Sequence, residues 1–513
     1  MVLLVAVLLL HTQIYGEGDW VTYSEFRNVS SVSTDLRYVY FGSSGGIARY
    51  DRLFDGWGYP ISVSDGLIGN EILVCSYDRY SDCLWVVTPY GVQKYNPFAR
   101  SAEVFPDVAQ SARGIHSIAV EEKAVWFAGE GRILKFQRED ATWSWQASVP
   151  SNLEWYGRRS LAMLDSSQYG FLSPYYFLDE NLARYEITSV GKDDRHLWVG
   201  TNGYGVWRYD LTTFQGEHLL YGLAKRRVDS VARDGDSLWI GGTGGGSNGI
   251  TLWDRKQDRF RFFETPHIRG LRSESVSSIE IGMDLVGFGT SEGISIYEKK
   301  KDAWRSFEAF YEPESDGVIS LEQDSSYLFC GTDLGLNVLD TKTWSWEFAP
   351  QLGRVRINDI LKTGDTLLFA TDEGVFFVDG GDTSLKQLSD SYGSLDFGAT
   401  AIAVDSVGLW FGTHDGIVQL NRMTGRWSRW TVVGHSFIGD VLTLAADGFN
   451  LWAGTRWGAF RYSKSKKKWS TYTTQDGLPA PAVLSILTDG DYVWFGSSEG
   501  LTRFYWNNPA IAE

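Results

Sequence analysis

One phrase recurs along this chain: an aliphatic–aromatic pair, a small residue, a glycine, a short turn, a second glycine, then another apolar run. Clear copies are Leu197-Trp198-Val199-Gly200-Thr201 leading to Gly205-Val206-Trp207-Arg208-Tyr209-Asp210, and Val493-Trp494-Phe495-Gly496-Ser497 leading to Gly500-Leu501-Thr502-Arg503-Phe504. The aromatic position of each copy falls at Tyr40, Trp85, Trp126, Trp198, Trp239, Gly287, Phe329, Leu368, Trp410, Trp452 and Trp494, eleven anchors in all. A period of roughly 40 residues marks a unit that cannot hide its own apolar faces and must stack on its neighbours.

Each unit parses as four strands. In the last units, residues 482–487 form the innermost strand, 492–497 the second and 500–504 the third, with Trp469-Ser470-Thr471-Tyr472 as the outer strand one unit earlier. Asp489-Gly490-Asp491 and Ser498-Glu499-Gly500 supply the turns between them. Four antiparallel strands per period, apolar on both faces, describe a propeller blade. An aromatic content of 15% and 56 glycines suit many short strands joined by tight turns, not helices. The expected fold is therefore an all-β propeller.

The interval from Trp126 to Trp198 is too long for one period. It predicts a twelfth, eroded repeat, with an inner strand at 160–164, a second at 169–173, a third at 175–179 or 182–185, and no outer strand. About twelve four-stranded blades would form two toroids of five to seven blades or one large ring. A division into 18–265 and 266–513 would give two equal halves. Trp20-Val21-Thr22-Tyr23 matches the outer-strand phrase, and the last repeat stops after its third strand. The N-terminal segment is thus expected to pair with the C-terminal strands and close the ring, removing an exposed edge.

Residues 2–10 are an unbroken apolar run, too short to span a bilayer and suited to the core of a signal peptide. Residues 1–17 are read as that leader. The mature chain is then expected in the periplasm or outside a bacterial cell, with no transmembrane anchor. A net charge of −17 excludes nucleic acid as a partner, because phosphate binding needs a basic field. Cys75, Cys83 and Cys330 are too few for a disulfide framework. Cys75 and Cys83 either bridge one hairpin or serve as small core residues.

These phrases resemble the two-component regulator propeller repeat, which reads roughly Leu-Trp-x-Gly-Thr-x-x-Gly-Leu-x-Arg-Tyr-Asp. The chain carries it at residues 197–210 and 40–51, with the linker Asp476-Gly477-Leu478-Pro479 and a shorter Asp65-Gly66-Leu67. The resemblance covers nearly everything after residue 17. It implies a sensor-type propeller of the kind found in periplasmic regions of hybrid histidine kinases, often two seven-bladed rings that recognise carbohydrate. This chain departs by having about twelve repeats, no immunoglobulin-like segment, and no kinase or receiver region. Only the binding module carries over.

Several motifs have simpler readings. Residues 42–46, 289–293 and 496–500 match Gly-x-Ser-x-Gly, but a nucleophile elbow needs a strand-to-helix turn, and these lie on strand-to-strand turns of the repeat. Residues 244–249 match Gly-x-Gly-x-x-Gly yet lead into another strand, Ile250-Thr251-Leu252-Trp253. His116, His196, His218, His267, His414 and His435 are scattered, with no metal-ligand spacing. Neither a metal nor a cofactor is expected. Lys299-Lys300-Lys301 and Lys466-Lys467-Lys468 read as solvated turn tips.

The turns between second and third strands gather at one mouth of a propeller. There the chain places Tyr90, Glu130, Tyr204, Glu292, Asp333, Asp372, Glu373, His414, Asp415, Arg456, Trp457 and Glu499. Carboxylates with aromatic faces suit sugars, whose hydroxyls donate to oxygens while their C–H faces stack on rings. The expectation is a non-catalytic binding module for a glycan or an envelope protein. The alternatives are a polysaccharide-acting enzyme using residues such as His414, Asp415 and Glu499, or a stand-alone sensor for a separate histidine kinase.

Overall fold

Each clear repeat folds into one antiparallel sheet. The computed structural model describes residues 15–510, apart from 109–111, 166–171, 173–175, 180–181, 245–248, 266, 308–316, 349–351, 381, 390–397 and 435. The apolar run at 2–10 and His435 lie outside the described residues, as does most of the Gly-rich turn at 244–249. We number the sheets by their innermost strands: Val29–Thr34, Val74–Asp78, Ile115–Val120, Arg184–Lys192, Ser230–Asp234, Val276–Ile281, Val318–Asp324, Ile357–Thr363, Ala401–Val404, Val441–Ala446 and Ser485–Asp489. Among the described residues nine of these sheets have four strands, and two have five.

The recurring glycine and tryptophan follow from stacking these sheets. A Cβ on Gly412 would sit 2.6 Å from Val441 Cγ1, and one on Gly454 would sit 2.8 Å from Val483 Cγ1. Both positions are where the next sheet presses its entering valine against the second strand. The motif tryptophan is buried on that same strand, and in several sheets, though not at Trp452, its indole N–H is met by an acid at the first-to-second turn. Trp198 Nε1 donates to Asp193 (2.8 Å), Trp410 to Asp405 (2.8 Å), Trp126 to Glu121 (2.7 Å) and Trp85 to Asp78 (3.0 Å). A buried Trp is tolerated where its N–H finds a partner. A second acid ends the third strand: Asp210 accepts the Thr212 and Thr213 N–H groups, and Asp254 those of Lys256 and Gln257. Much of the negative charge is therefore turn chemistry.

The inner strands contact one another in two closed circuits. Sheets 5 to 11 form a ring of seven, with sheet 11 returning to sheet 5. Sheets 1 to 4 form the other, with sheet 4 returning to sheet 1. Sheet 11 takes Trp20–Tyr23 as its outer strand, paired in register from Trp20↔Phe504 to Tyr23↔Leu501, so the chain ends do meet in one sheet. The chain thus begins in the seven-sheet ring, leaves to build the smaller ring, and returns. The two crossing segments run side by side, with Leu223 N donating to Ser24 O (2.8 Å) and Glu25 bridged to Gly222.

This path corrects the expected division at 265/266. The inner strand of sheet 5 packs against the inner strands of sheets 6 and 11, which places Ser230 to Phe263 in the C-terminal ring. The chain crosses between rings at residues 24–28 and 222–228.

Among the described residues, the eroded repeat holds a place in the smaller ring without a sheet of its own. Residues 160–164 lie in a 3-10 helix, Arg158–Asp165, whose buried residues are Ser160 and Leu164. The expected inner strand at 160–164 therefore does not form. The neighbouring Trp155–Gly157 adds to sheet 3, and Tyr176–Leu178 adds to sheet 4. Of the expected second strand at 169–173, only Leu172 is among the described residues.

A hydrogen-bond relay shows that the helix stands in for a blade. The free inner edge of each sheet leaves N–H groups that need acceptors. Ser31 Oγ accepts Cys75 N–H from sheet 2 (2.8 Å), and Ser189 Oγ accepts Val32 N–H from sheet 1 (3.0 Å). Across the eroded unit, Ser117 Oγ accepts Arg159 N–H (3.0 Å) and Ser160 Oγ accepts Val190 N–H (2.9 Å). Seven sheets, four sheets and this one turn make up the twelve units.

All three cysteines are buried and unbridged. Cys75 stands opposite Val86 and Cys83 opposite Asp78, so the two do not face each other.

Candidate functional site

In most sheets the mouth turns share one construction, sheets 3 and 5 ending their second strands in Gly129 and Gly241 instead. A Thr or Ser ends the second strand, and its hydroxyl donates to the carbonyl of the glycine opening the third: Thr290 to Gly293 O (3.0 Å), Thr413 to Gly416 O (3.0 Å), Thr455 to Gly458 O (2.9 Å). The same oxygen accepts the N–H at the turn tip, from Glu292 (3.2 Å), Asp415 (3.2 Å), Trp457 (3.1 Å) or Glu499 (3.1 Å). The backbone is tied down while the tip side chain projects outward. Loops held this way on a rigid scaffold are suited to recognition.

Two rings mean two mouths. Tyr90, Glu130 and Tyr204 belong to sheets 2, 3 and 4 of the smaller ring. Glu292, Asp333, Asp372, Glu373, His414, Asp415, Arg456, Trp457 and Glu499 belong to the seven-sheet ring. Tyr90 is 68% exposed, and Glu130, Glu292 and Glu373 are exposed as well. Tyr204 is instead stacked between Tyr185 (ring centroids 4.5 Å) and His218 (4.3 Å), part of an aromatic ladder on sheet 4.

Several of the carboxylates are committed to neighbouring donors. Asp333 pairs with Arg356, Asp372 accepts Asn358 Nδ2 (2.7 Å), and Asp415 pairs with Arg429 of its own sheet. Glu499 is taken by Arg226 and by Asn70 Nδ2 (3.3 Å) from the smaller ring, which makes it a contact between rings.

At sheets 9 and 10 the arrangement differs. Asp440, on the linker into sheet 10, accepts from His414 Nδ1 (3.0 Å) and from Arg456 Nε (2.8 Å). The Arg456 hydrogen bond, followed by His414, holds its carboxyl below the usual Asp range. Beside this group Trp457 is 71% exposed. The turn thus holds an exposed indole next to charges already oriented by one another.

Sequence reasoning missed Asp440, Arg226 and Arg356. The linkers into each sheet emerge at the same mouth as the second-to-third turns, because antiparallel strands alternate direction. A polar residue just before an inner strand therefore lands beside the preceding turn, and that rule was available from the repeat. Among the described residues, no group of three or more His, Cys, Asp or Glu side chains could hold a metal.

A second concave feature lies where the rings meet. A cavity of about 510 Å³ is lined by Trp57, Tyr59 and Tyr221 of the smaller ring and by Trp253, Arg255, Tyr492 and Arg503 of the larger. A groove of about 810 Å³ shares Trp57 and Asp258 with it.

The circuits of stacked sheets define a β-propeller of two rings. No family model matches the chain, and no curated protein matches it. Solved structures do. PorZ of Porphyromonas gingivalis, described as an essential bacterial surface component of the type-IX secretion system, is 12% identical, with 95% of this chain and 87% of that one covered and a TM-score of 0.62. The extracellular domain of BT4673 from B. thetaiotaomicron, described as part of a hybrid two-component system, is 15% identical over 94% of this chain and 70% of that one, with a TM-score of 0.46. The likeness is one of fold. It agrees with the propeller implied by the repeat phrases.

Proposed function

We propose that this chain is an exported, non-catalytic propeller that binds a glycan or an envelope protein through the turns at the mouth of its seven-sheet ring. The observation that carries this reading is the group at sheets 9 and 10: exposed Trp457 beside the His414–Asp440–Arg456 cluster and the Asp415–Arg429 pair. The indole offers a flat apolar face, and the ion-paired groups offer fixed donors and acceptors around it. Exposed Glu292 and Glu373 extend the acceptor surface around the same mouth, and Tyr90 and Glu130 do so for the smaller ring. Export is supported by the leader-like residues 1–17, and PorZ is itself described as a surface component. Among the described residues no helix is long and apolar enough to cross a membrane.

The test is a glycan screen read by tryptophan fluorescence, paired with a pull-down from envelope extract. Trp457→Ala should weaken the bound partner by about tenfold or more, as a central aromatic anchor does. Turnover of any glycan, lost in Asp415→Asn, would replace this reading with an enzymatic one.

A further inference from the structure

The cavity between the rings contains a cation whose partner is missing. Arg503 sits on the third strand of sheet 11, opposite the motif Trp494. The same repeat position is Arg49 in sheet 1, opposite Tyr40, Arg208 in sheet 4, opposite Trp198, and Arg461 in sheet 10, opposite Trp452. Arg208 pairs with Asp55 and Glu217. Arg49 shares the unmatched Nε, and its one ion pair is through Nη2 with Glu17, inside the leader-like 1–17, so the contrast with Arg503 rests on Arg208 and Arg461. Arg461 donates from Nε to Asn450 Oδ1 (2.9 Å) and from Nη1 to Tyr472 Oη (3.4 Å).

Arg503 departs from its repeat mates. Its Nε is buried without a hydrogen-bond partner. Its polar contacts are neutral, a long 3.5 Å one from Nη2 to Gly18 O and one to the Tyr59 hydroxyl, and the rings of Tyr59 and Tyr492 lie 5.2 and 4.8 Å from its guanidinium carbon. Among the described residues no carboxylate forms an ion pair with it. Burying a guanidinium between aromatic faces strengthens its pull on an anion, because water no longer competes.

The other charges in the cavity do not fill this gap. Arg255 is paired with Asp489, which also receives Arg233 and the Trp494 indole N–H (3.3 Å). Asp258 accepts the Trp253 indole N–H (3.1 Å). Asp236 and Lys256 are exposed at the rim, opposite in sign. Among the described residues, Arg503 and Asp258 are thus a cation and a carboxylate without ionic partners, at the wall of a cavity whose size and position, at a junction of two bodies, are those of a small-molecule site.

We propose that the cavity between the rings is a second binding site, for a small ligand carrying one carboxylate on a ring-shaped body, with Arg503 as its anchor. The planar guanidinium fork matches a carboxylate in two parallel hydrogen bonds. Trp57 and Tyr59 line the same cavity, with Tyr59 40% exposed and its ring against the Arg503 guanidinium. The carboxylate could belong to an aromatic acid or to a uronic acid residue of a saccharide, and neutral analogues lack the feature the site selects. The site is separate from the mouth: its charged rim comes from first-to-second and third-to-fourth turns, which lie at the other end of the strands.

Titration of the full chain with 4-hydroxybenzoate and with glucuronate tests this, each against its neutral twin, methyl 4-hydroxybenzoate and glucose. One of the two acids should quench tryptophan fluorescence and bind at least about tenfold tighter than its twin. Which acid binds identifies the source. Arg503→Gln should abolish that preference, and Tyr59→Ala should weaken binding with an unchanged melting temperature. Should Arg503→Gln fail to fold, Arg503→Lys keeps the charge but not the fork, and is expected to lose the preference. Trp457→Ala, which disables the mouth, should leave this binding intact, so the two sites fail or stand separately. Acids and neutral twins binding equally, neither acid binding at millimolar concentration, or full binding by the folded Arg503 variants would each overturn the proposal.

Discussion

In the seven-sheet ring, the last sheet borrows its outer strand from the far end of the chain. Trp20–Tyr23 lies along Gly500–Tyr505, and the Trp20 ring stacks on Phe504 with centroids 4.0 Å apart. In the smaller ring, sheet 4 meets sheet 1 without such an exchange. Ser189 Oγ accepts Val32 N–H, and Thr188 Oγ1 donates to Val29 O. One ring is closed by a shared sheet, the other by side chains reaching across an interface. The smaller ring also tolerates a single 3-10 turn where a blade would stand. What a propeller position requires, on this comparison, is an acceptor for the free edge of its neighbour and apolar cover for its face. A complete sheet is one way to meet both needs.

The comparison breaks most easily at Trp20. It is 1% exposed, and Trp20→Ala should cost about 3–5 kcal/mol, the range for emptying an aromatic site in a core. Hydrogen exchange read peptide by peptide should show the loss in sheets 5 to 11 and little change in sheets 1 to 4. Equal loss in both rings would mean that they unfold as one body.

Next in size, Ser160→Ala leaves the buried Val190 N–H without its acceptor and should cost about 1–3 kcal/mol. The loss should fall in sheets 3, 4 and 1. A neutral outcome would show that the 3-10 turn fills space without serving as a relay.

A smaller effect concerns pH and the larger ring alone. Burial lifts Glu280 to about 7, Glu322 to about 8 and Asp359 to about 7, with Glu280 and Asp359 adding to the rise at Glu322. These groups bind protons more tightly folded than unfolded, so their contribution is present below the ordinary carboxylate range and is lost as pH rises through about 7 to 8. Sheets 6 to 8 should therefore be better protected at pH near 5.5 than near 8.5, after correction for intrinsic exchange rates. Glu322→Gln should flatten that difference. A larger effect in sheets 1 to 4 would contradict it.

The smallest expected change is at the mouth. Trp457→Ala should alter stability by less than about 0.5 kcal/mol, since the side chain packs on little, while ligand binding falls. Loss of stability in sheets 9 and 10 would make Trp457 a structural residue.

The strand-by-strand layout was legible because it is local. The spacing of Trp198, Trp410, Trp452 and Trp494 encodes a buried second strand, and the match of Trp20–Tyr23 to an outer-strand phrase encodes the closing pair. The mouth was legible as a set of turn positions for the same reason. It was not legible which carboxylates would be spent: Asp333, Asp415 and Glu499 are held by Arg356, Arg429 and Arg226, and two of those cations arrive on linkers outside the repeat phrase. The net charge of −17 invited a search for a cationic or hydroxylated partner. Many of those acids instead serve buried indoles and turn N–H groups, as Asp193 and Asp210 do.

From the chain alone came the kind of unit, its strand order and the pairing of its two ends, because each is written in short-range spacing and turn residues. How many units share a ring is not a local property. It depends on which inner strand the next one packs against. Only the packed structure sent sheet 5 to the C-terminal ring and gave a helical turn a blade's place. The same packing left Arg503 facing a cavity where its repeat mates have found partners.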